Sequence, residues 1–192
     1  AGNALEVMEA VSFLRGEGDN ARLESVVLGL SAELLVLGGL FPDRDAARKK
    51  LKLALGSGQA AEIFNRMVAA LGGPPDLIER ATEYLPVAEF RREVKAPAAG
   101  WLSRIDTREL GMAVIELGGG RRRAEDKIDH SVGLSGLAGL GRKVAEGDVL
   151  AVVHAREESA ARQAERRVQA AITISEQESS AQPVIYEVVE AG

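Results

Sequence analysis

The residues best suited to chemistry are the glycines and arginines of GGGRRR, residues 118–123. Backbone N–H groups of glycines and guanidinium side chains can together bind a phosphate. However, these glycines follow a predicted helix, whereas anions bind at helix N-termini. The spacing matches neither a Walker loop nor a dinucleotide-binding fingerprint. The pattern therefore favours a glycine helix cap followed by basic residues, and direct phosphate binding stays open as the alternative.

Two histidines and one pair of glutamates are the other candidates for chemistry. His130 and His154 lie far apart in sequence, lack metal-ligand spacing and have no nucleophile motif beside them, which favours non-catalytic roles. Glu6 and Glu9 lie three residues apart on a predicted helix. Such a pair is usually solvated, but one carboxylate could bind a hard cation together with backbone carbonyls. The spacing leaves both alternatives open.

The first half of the chain, which has to position some of these residues, has helical periodicity. Asparagine, aspartate and serine are predicted as N-caps, and glycines are predicted to end the helices. The predicted helices run from Asn3 to about Leu14, from about Leu23 to Leu37, from Asp43 to Gly56, from Ser57 to about Leu71, and for a short stretch after Pro75. On the fourth, the side predicted to face inward carries Ile63, Phe64, Met67, Val68 and Leu71.

The pattern changes near Pro86, where extended segments begin to alternate with helices. Helices are predicted over residues 107–117 and over about 157–171. Strands are predicted around Trp101–Leu102, at Val144, over Val149–Val153, in ITI (172–174) and in VIYEVVE (184–190). The second half is therefore predicted to be α+β, with the break between the halves at about residue 86.

Composition excludes several classes of protein. The chain has 192 residues, 46% of them hydrophobic, which is globular and leaves enough material for a core. It contains no cysteine, so disulfide scaffolds and thiol chemistry are excluded, and a reducing cytoplasm is the expected location. A net charge of −5 with mixed signs argues against a general nucleic-acid binder. No segment is typical of a signal peptide or a membrane span.

Two segments of the second half resemble biotinyl and lipoyl carrier domains. These are APAAGWL (96–102) and VAEGDVLAVVHA (144–155), which have a similar strand–turn arrangement. Such carriers present a modifiable lysine after the second strand, but this chain has VVHAREE there, without lysine. A barrel-sandwich shape is therefore expected, and a swinging-arm carrier is not.

Longer motifs carry a second resemblance, which covers essentially the whole chain. GNALEV (2–7), IDTRELGMAVIELGGGRR (105–122), KIDHSVG (127–133) and VAEGDVLAVVHA (144–155) resemble the carboxyl-terminal part of the thymidine and pyrimidine-nucleoside phosphorylases. The helical stretch SGQAAEIFNRMVAALGG is also similar to the family. GMAV and IELGGGRR favour the thymidine-specific members over those with broad pyrimidine specificity.

The resemblance implies a fold and an activity. Residues 1–85 would be the helical part of a large α/β phosphorylase domain whose N-terminal portion is missing, and residues 86–192 a C-terminal α+β domain with barrel-sandwich-like strands. The intact enzyme would be a pentosyltransferase that splits thymidine with inorganic phosphate, giving thymine and 2-deoxyribose 1-phosphate. It would be a cytoplasmic homodimer of pyrimidine salvage, with no organic cofactor and no nucleic-acid or membrane partner.

The resemblance also limits what this chain can do alone. In the family GNALEV lies well inside the polypeptide, so the phosphate loop and the base-binding residues would precede Ala1. No catalytic or substrate-binding residue is then assigned here, and His130 and His154 do not match the family's active-site histidine. Glu9 matches a glutamate that helps to hold a monovalent cation, although its partners would also lie upstream. The remaining N-terminal portion is thus an expected partner, and a stand-alone binding or scaffold module is the competing interpretation.

Overall fold

The computed structural model describes residues 1–18, 20–181 and 183–189, and these form a mixed structure of helices and antiparallel sheets. The chain divides into two compact units. The first unit comprises Ala1–Val7 and Leu85–Gln182, and the second comprises Met8–Tyr84 and Pro183–Gly192. Within the described residues the helices are α1 (Asn3–Leu14), α2 (Ala21–Leu37), α3 (Arg44–Gly56), α4 (Gln59–Ala70), α5 (Leu77–Tyr84), α6 (Thr107–Glu116) and α7 (Glu158–Ala170). The strands are β1 (Phe90–Lys95), β2 (Gly100–Ile105), β3 (Gly133–Ser135), β4 (Lys143–Val144), β5 (Val149–Ala155) and β6 (Ile172–Ser175).

The first unit contains two antiparallel sheets of three strands each, in the orders β1-β5-β3 and β4-β2-β6. β5 is the central strand of the first sheet, which accounts for its nearly continuous apolar sequence VLAVVHA. A strand with neighbours on both sides and packed side chains has little need of polar residues. Both helices and strands β2, β4, β5 and β6 were predicted, β1 lies in the extended stretch after Pro86, and β3 was not predicted. The α+β character of this half is confirmed.

The core of the first unit lies between the sheets and helices α6 and α7. α7 buries Ala161, Ala164 and Val168 at helical spacing, and the alanines allow a close approach to the strands. Its outer side is tied to α6 by Arg167, which donates to Glu109 at 2.9 Å and also pairs with Glu116. Each fully buried valine or leucine side chain of this core stabilises the fold by about 1.5–3 kcal/mol relative to an exposed one. The largest are Leu102, Leu134, Leu150, Val94, Val132, Val153 and Val168.

Two helices of the second unit, α2 and α3, begin at side-chain caps, and the helices of this unit bury few side chains. Asp43 accepts from Ala46 N at 2.8 Å at the start of α3, as predicted. Asn20, which was not predicted as a cap, accepts from Leu23 N at 3.0 Å at the start of α2. The buried hydrophobic residues of these helices are few: Val11, Leu28, Ala32, Ala47, Leu77, Ile78 and Ala81. Many large apolar side chains of the second unit are therefore exposed and not buried.

Three leucines of α2 form the clearest outward apolar surface. Leu30, Leu34 and Leu37 are 58%, 70% and 82% exposed and lie on one helix face, and they are called the leucine stripe below. A similar outcome corrects the prediction for α4: Ile63 and Met67 are exposed, as is Leu71 just after the helix, and the helix has no buried residue. An apolar face is buried only where another element covers it, and the described residues provide none at these positions.

Three local predictions were wrong. VIYEVVE forms no strand over its described residues 184–189, because β-branched residues make a strand only beside a partner strand. Ser57 is not the cap of α4: Gly58, with a φ of +80°, takes that position and has no side chain to bond. The Asn3 side chain donates to Gly119 O at 3.1 Å, and the first turn is closed instead by Glu6, which accepts from Gly2 N at 3.1 Å.

None of the described helices combines the length and the apolar character that crossing a lipid bilayer requires.

Candidate functional site

One polar cluster of the first unit is centred on Asp129, in the KIDHSVG segment. One carboxylate oxygen accepts from Ser131 N at 3.0 Å and from Ser131 Oγ at 2.6 Å, and Arg156 binds both oxygens from the end of β5. Burial alone would raise the pKa of Asp129, but the hydrogen bonds from Arg156 and Ser131 outweigh it and lower the pKa to about 2. The carboxylate is therefore ionised at neutral pH and fully occupied in holding its own loop.

His154 lies on β5, between Arg91 of β1 and Gly133 of β3 in the sheet register. It is only 5% exposed, and its Nε2 lies 2.7 Å from Ser135 Oγ, with which it shares a hydrogen bond. Desolvation, followed by the charges of Arg91 and of the amino group of Ala1, lowers the pKa of His154 below its ordinary value. The imidazole is therefore neutral at physiological pH.

The Ser135–His154 pair has one element of a nucleophilic site but lacks the others. Activation of a serine requires a base that is itself oriented by a third group, usually a carboxylate. Among the described residues no carboxylate is hydrogen-bonded to His154, and Asp129 is committed to Ser131 and Arg156. The pair is thus a buried hydrogen bond between β3 and β5. His154 is next to the last residue of β5, as predicted for a residue at the end of a strand.

GGGRRR ends α6, as the glycine-cap interpretation predicts. Gly118 has a φ of +93° and donates to Ile115 O at 3.0 Å, and Gly119 donates to Val114 O at 2.9 Å, which is the Schellman arrangement. The N–H groups of Arg122 and Arg123 both donate to Asp126 Oδ2 at 2.9 Å. The N–H groups of Gly118, Gly119, Arg122 and Arg123 are therefore already bonded within this part of the chain and not directed at a phosphate.

The two glutamates of α1 have separate partners. Glu6 accepts from Gly2 N, while Glu9 accepts from Asn20 Nδ2 at 3.0 Å. Across residues 1–18, 20–181 and 183–189, histidine and carboxylate side chains form no group of three or more that could hold a metal ion. Glu9 therefore lacks a sufficient set of side-chain ligands within this part of the chain, and a cation there would depend on oxygens from elsewhere.

Backbone contacts at the start of the chain explain the glycine of KIDHSVG. Ala1 and Leu134 exchange two hydrogen bonds of 2.7 Å each, and Ala4 N donates to the carbonyl of His130, whose side chain is exposed. A Cβ on Gly133 would lie 2.3 Å from Ala1 O. Residue 133 therefore has to be glycine for this close approach.

One comparison with known proteins bears on this unit. Residues 101–175 match the family model of the pyrimidine nucleoside phosphorylase C-terminal domain. The matched stretch runs from β2 to β6 and includes α6, α7 and the Asp129 cluster. The match supports the resemblance at the level of the pyrimidine nucleoside phosphorylase family and of its C-terminal domain. The motifs GNALEV and SGQAAEIFNRMVAALGG lie outside the matched stretch.

Sequence reasoning and the structure differ on which residues of this domain matter. GGGRRR and the histidines were singled out, and the structure gives each of them an internal or exposed position without a reaction partner. Asp129, Ser135 and Arg156 were not singled out, although they form the most connected contacts. A signal existed for Asp129, because an aspartate two residues before a serine is typical of a side-chain-stabilised turn. Pairing with Arg156, 27 residues away, has no local signal.

Proposed function

We propose that this chain is the carboxyl-terminal part of a thymidine phosphorylase. The observation that carries the proposal is the match of residues 101–175 to the C-terminal domain of pyrimidine nucleoside phosphorylases. The motifs before that stretch, GNALEV and SGQAAEIFNRMVAALGG, resemble the same family, and GMAV and IELGGGRR within the stretch favour its thymidine-specific members. Broader pyrimidine specificity is the alternative within the family.

The reaction of the intact enzyme would be the reversible attack of phosphate on the anomeric carbon of thymidine, with departure of thymine. Charge develops on the phosphate, on the sugar and on the leaving base, so fixed donors and cations are needed at each of them. Within the described residues the polar clusters bond internally, and Asp129 and Asp126 are committed to their own loops. We therefore assign the catalytic groups to the preceding part of the enzyme and a supporting role to this chain.

The second unit supports an expected partner for this chain. Helices of an α/β domain cover a sheet with their apolar faces, and here the leucine stripe is exposed. An exposed apolar stripe of this kind marks an interaction surface or an aggregation risk. We propose that the N-terminal portion of the same enzyme covers it, with a cytoplasmic homodimer as the complete enzyme. A barrel-sandwich arrangement of the first unit and a monovalent cation at Glu9 belong to the same proposal.

The test is phosphate-dependent release of thymine and of uracil, from thymidine and from uridine. The purified chain alone should release neither base, and co-expression with the N-terminal portion should restore release, with thymidine preferred. Leu34→Glu should prevent restoration by placing a charge in the leucine stripe. Lys50→Glu, an exposed change on α3, is the matched control and should not. Thymine release by the chain alone would overturn the assignment of the catalytic groups, and failure of co-expression to restore any release would overturn the family proposal.

A further inference from the structure

The two outer strands of the sheet β1-β5-β3 differ in what lies beside them. On the β3 side, Ala1 exchanges hydrogen bonds of 2.7 Å with Leu134, so the start of the chain covers that edge. On the β1 side there is an open groove of about 700 Å³. Side chains from both faces of the sheet and from α7 line it: Arg91, Arg92, Glu93, Lys95, Val152 and Glu165. The groove leaves room for another strand beside β1.

The main-chain groups of β1 that face this groove can be identified from contacts at its end. Ala96 donates to Asp148 O at 2.8 Å and accepts from Gly147 N at 2.9 Å, so its main chain points toward the β5 side. Directions alternate along a strand, so those of Arg91, Glu93 and Lys95 point away from β5. Consistent with this, Lys95 O accepts from Gln169 Nε2 at 2.8 Å, outside the sheet. The N–H and C=O groups of Arg91 and Glu93 are thus directed at the open edge.

The side chains beside this edge alternate in charge. Glu89, Arg91, Glu93 and Lys95 are exposed and, at a spacing of two residues, lie on one face. Glu93 and Lys95 approach each other only to 3.8 Å, and among the described residues Arg91 has no ion-pair partner. Antiparallel pairing that sets Arg91 opposite Glu93 of a second copy also sets Glu89 opposite Lys95. A shift of two residues in either direction brings like charges together instead, which is destabilising.

We propose that β1 is a self-association edge, at which two copies of this chain pair antiparallel with Arg91 opposite Glu93. The three-stranded sheets of the two copies then join into one continuous sheet across a two-fold axis. Each Arg91–Glu93 pair exchanges two main-chain hydrogen bonds, which matches the direction of these groups. Arg92 faces its own counterpart at the axis, where its charge is balanced by the ion pair with Glu165.

The alternative interpretation is that the charged residues of β1 prevent this edge strand from pairing with another chain. Charge reversal distinguishes the two, measured by sedimentation velocity on the full chain. The unmodified chain should dimerise with a dissociation constant of about 100 µM, because an edge-strand interface is small and such complexes are weak. Arg91→Glu and Glu93→Arg should each raise the dissociation constant at least tenfold. Lys127→Glu, an equal change of charge on an exposed loop of the first unit, should leave it unchanged.

Mixing the two single variants provides the sharper test, because it restores complementarity. The carboxylate introduced at position 91 of one variant then faces the guanidinium introduced at position 93 of the other. The second contact pairs the unchanged Glu93 of the first variant with the unchanged Arg91 of the second. A heterodimer should form with a dissociation constant within about threefold of the unmodified chain. Circular dichroism of each variant alone confirms that folding is retained. A monomer at all concentrations, a dimer insensitive to both reversals, or the absence of a heterodimer would each overturn the proposal.

A second measurement fixes the register and does not depend on charge. Residues facing each other without mutual hydrogen bonds have Cα atoms about 4.5 Å apart, within reach of a disulfide. The chain has no cysteine, so Arg92→Cys introduces a single thiol at the two-fold axis. Mild oxidation should convert most of this variant to a covalent dimer. Ala98→Cys, on the exposed turn after β1, should crosslink at least tenfold more slowly, and equal rates would contradict the register.

Discussion

The electrostatics of Asp129 lead to a quantitative prediction for the stability of the first unit. The pKa of this carboxyl falls from 3.8 to about 2 on folding, and its side chain is only 16% exposed. A tenfold change in proton affinity corresponds to about 1.4 kcal/mol, so ionised Asp129 stabilises the fold by about 2 kcal/mol. Asp129→Asn should therefore lower the free energy of unfolding by about that amount at neutral pH. Arg156→Gln should cost less than Asp129→Asn, because the Arg156 side chain is 71% exposed and its charge is screened by solvent.

The pH dependence gives the sign of this effect. Since the folded pKa is the lower one, the stabilisation is complete above 3.8 and is lost as pH falls through about 2. The gap between the unmodified chain and Asp129→Asn should therefore close between these values. Urea unfolding followed by the fluorescence of Trp101, the single tryptophan, reports on the first unit. Glu146→Gln, an exposed change, is the control. Equal stabilities at neutral pH, or a gap that persists below about pH 2, would refute the reasoning.

Three further predictions concern other parts of the structure. An NMR titration of His154 should give a pKa below 6.5, and Arg91→Gln should raise that pKa by removing a nearby cation. The neutral His154 then contributes fully to stability above pH 6.5, and its contribution falls as the pH drops below that value. An unshifted titration midpoint would contradict this. Gly133→Ala should destabilise the first unit by several kcal/mol, because its Cβ would clash with the start of the chain. Gly136→Ala has open space around it and should cost only about 1–2 kcal/mol. Equal urea midpoints for the two variants would contradict the close packing at Gly133. Leu34→Gln should reduce binding of a hydrophobic dye. It should change the free energy of unfolding by less than about 0.5 kcal/mol, since the Leu34 side chain is mostly exposed. A larger loss of stability would mean that Leu34 is packed against other residues.

The parts of the fold that could be predicted from sequence are those decided by local chemistry. Asp43 caps α3 through a bond three residues away, and the apolar run of β5 identifies a central strand. The glycine end of α6 was likewise readable, because Gly118 supplies the left-handed backbone that ends the helix. Each of these features depends on a few consecutive residues.

The parts that could not be predicted depend on what other segments provide. The tail 184–189 has strand-forming residues but no neighbouring strand, and Met67 has helical spacing but no covering layer. The same holds for the site: Arg156, just after β5, reaches Asp129 in the loop before β3, and a hydrogen bond from β3 to β5 holds His154. Pairings across tens of residues leave no periodic signal in a single sequence, so tertiary contacts override local preference.

The contact of Asp126 with the loop after α6 has a consequence for its chemistry with ions. The Asp126 carboxylate competes with anions from solution for the N–H groups of Arg122 and Arg123, because it belongs to the same short turn. A tethered group acts at a high effective concentration, well above that of most free anions. Asp126 therefore keeps the N–H groups of Arg122 and Arg123 from an outside anion, and substitution of Asp126 should free both donors.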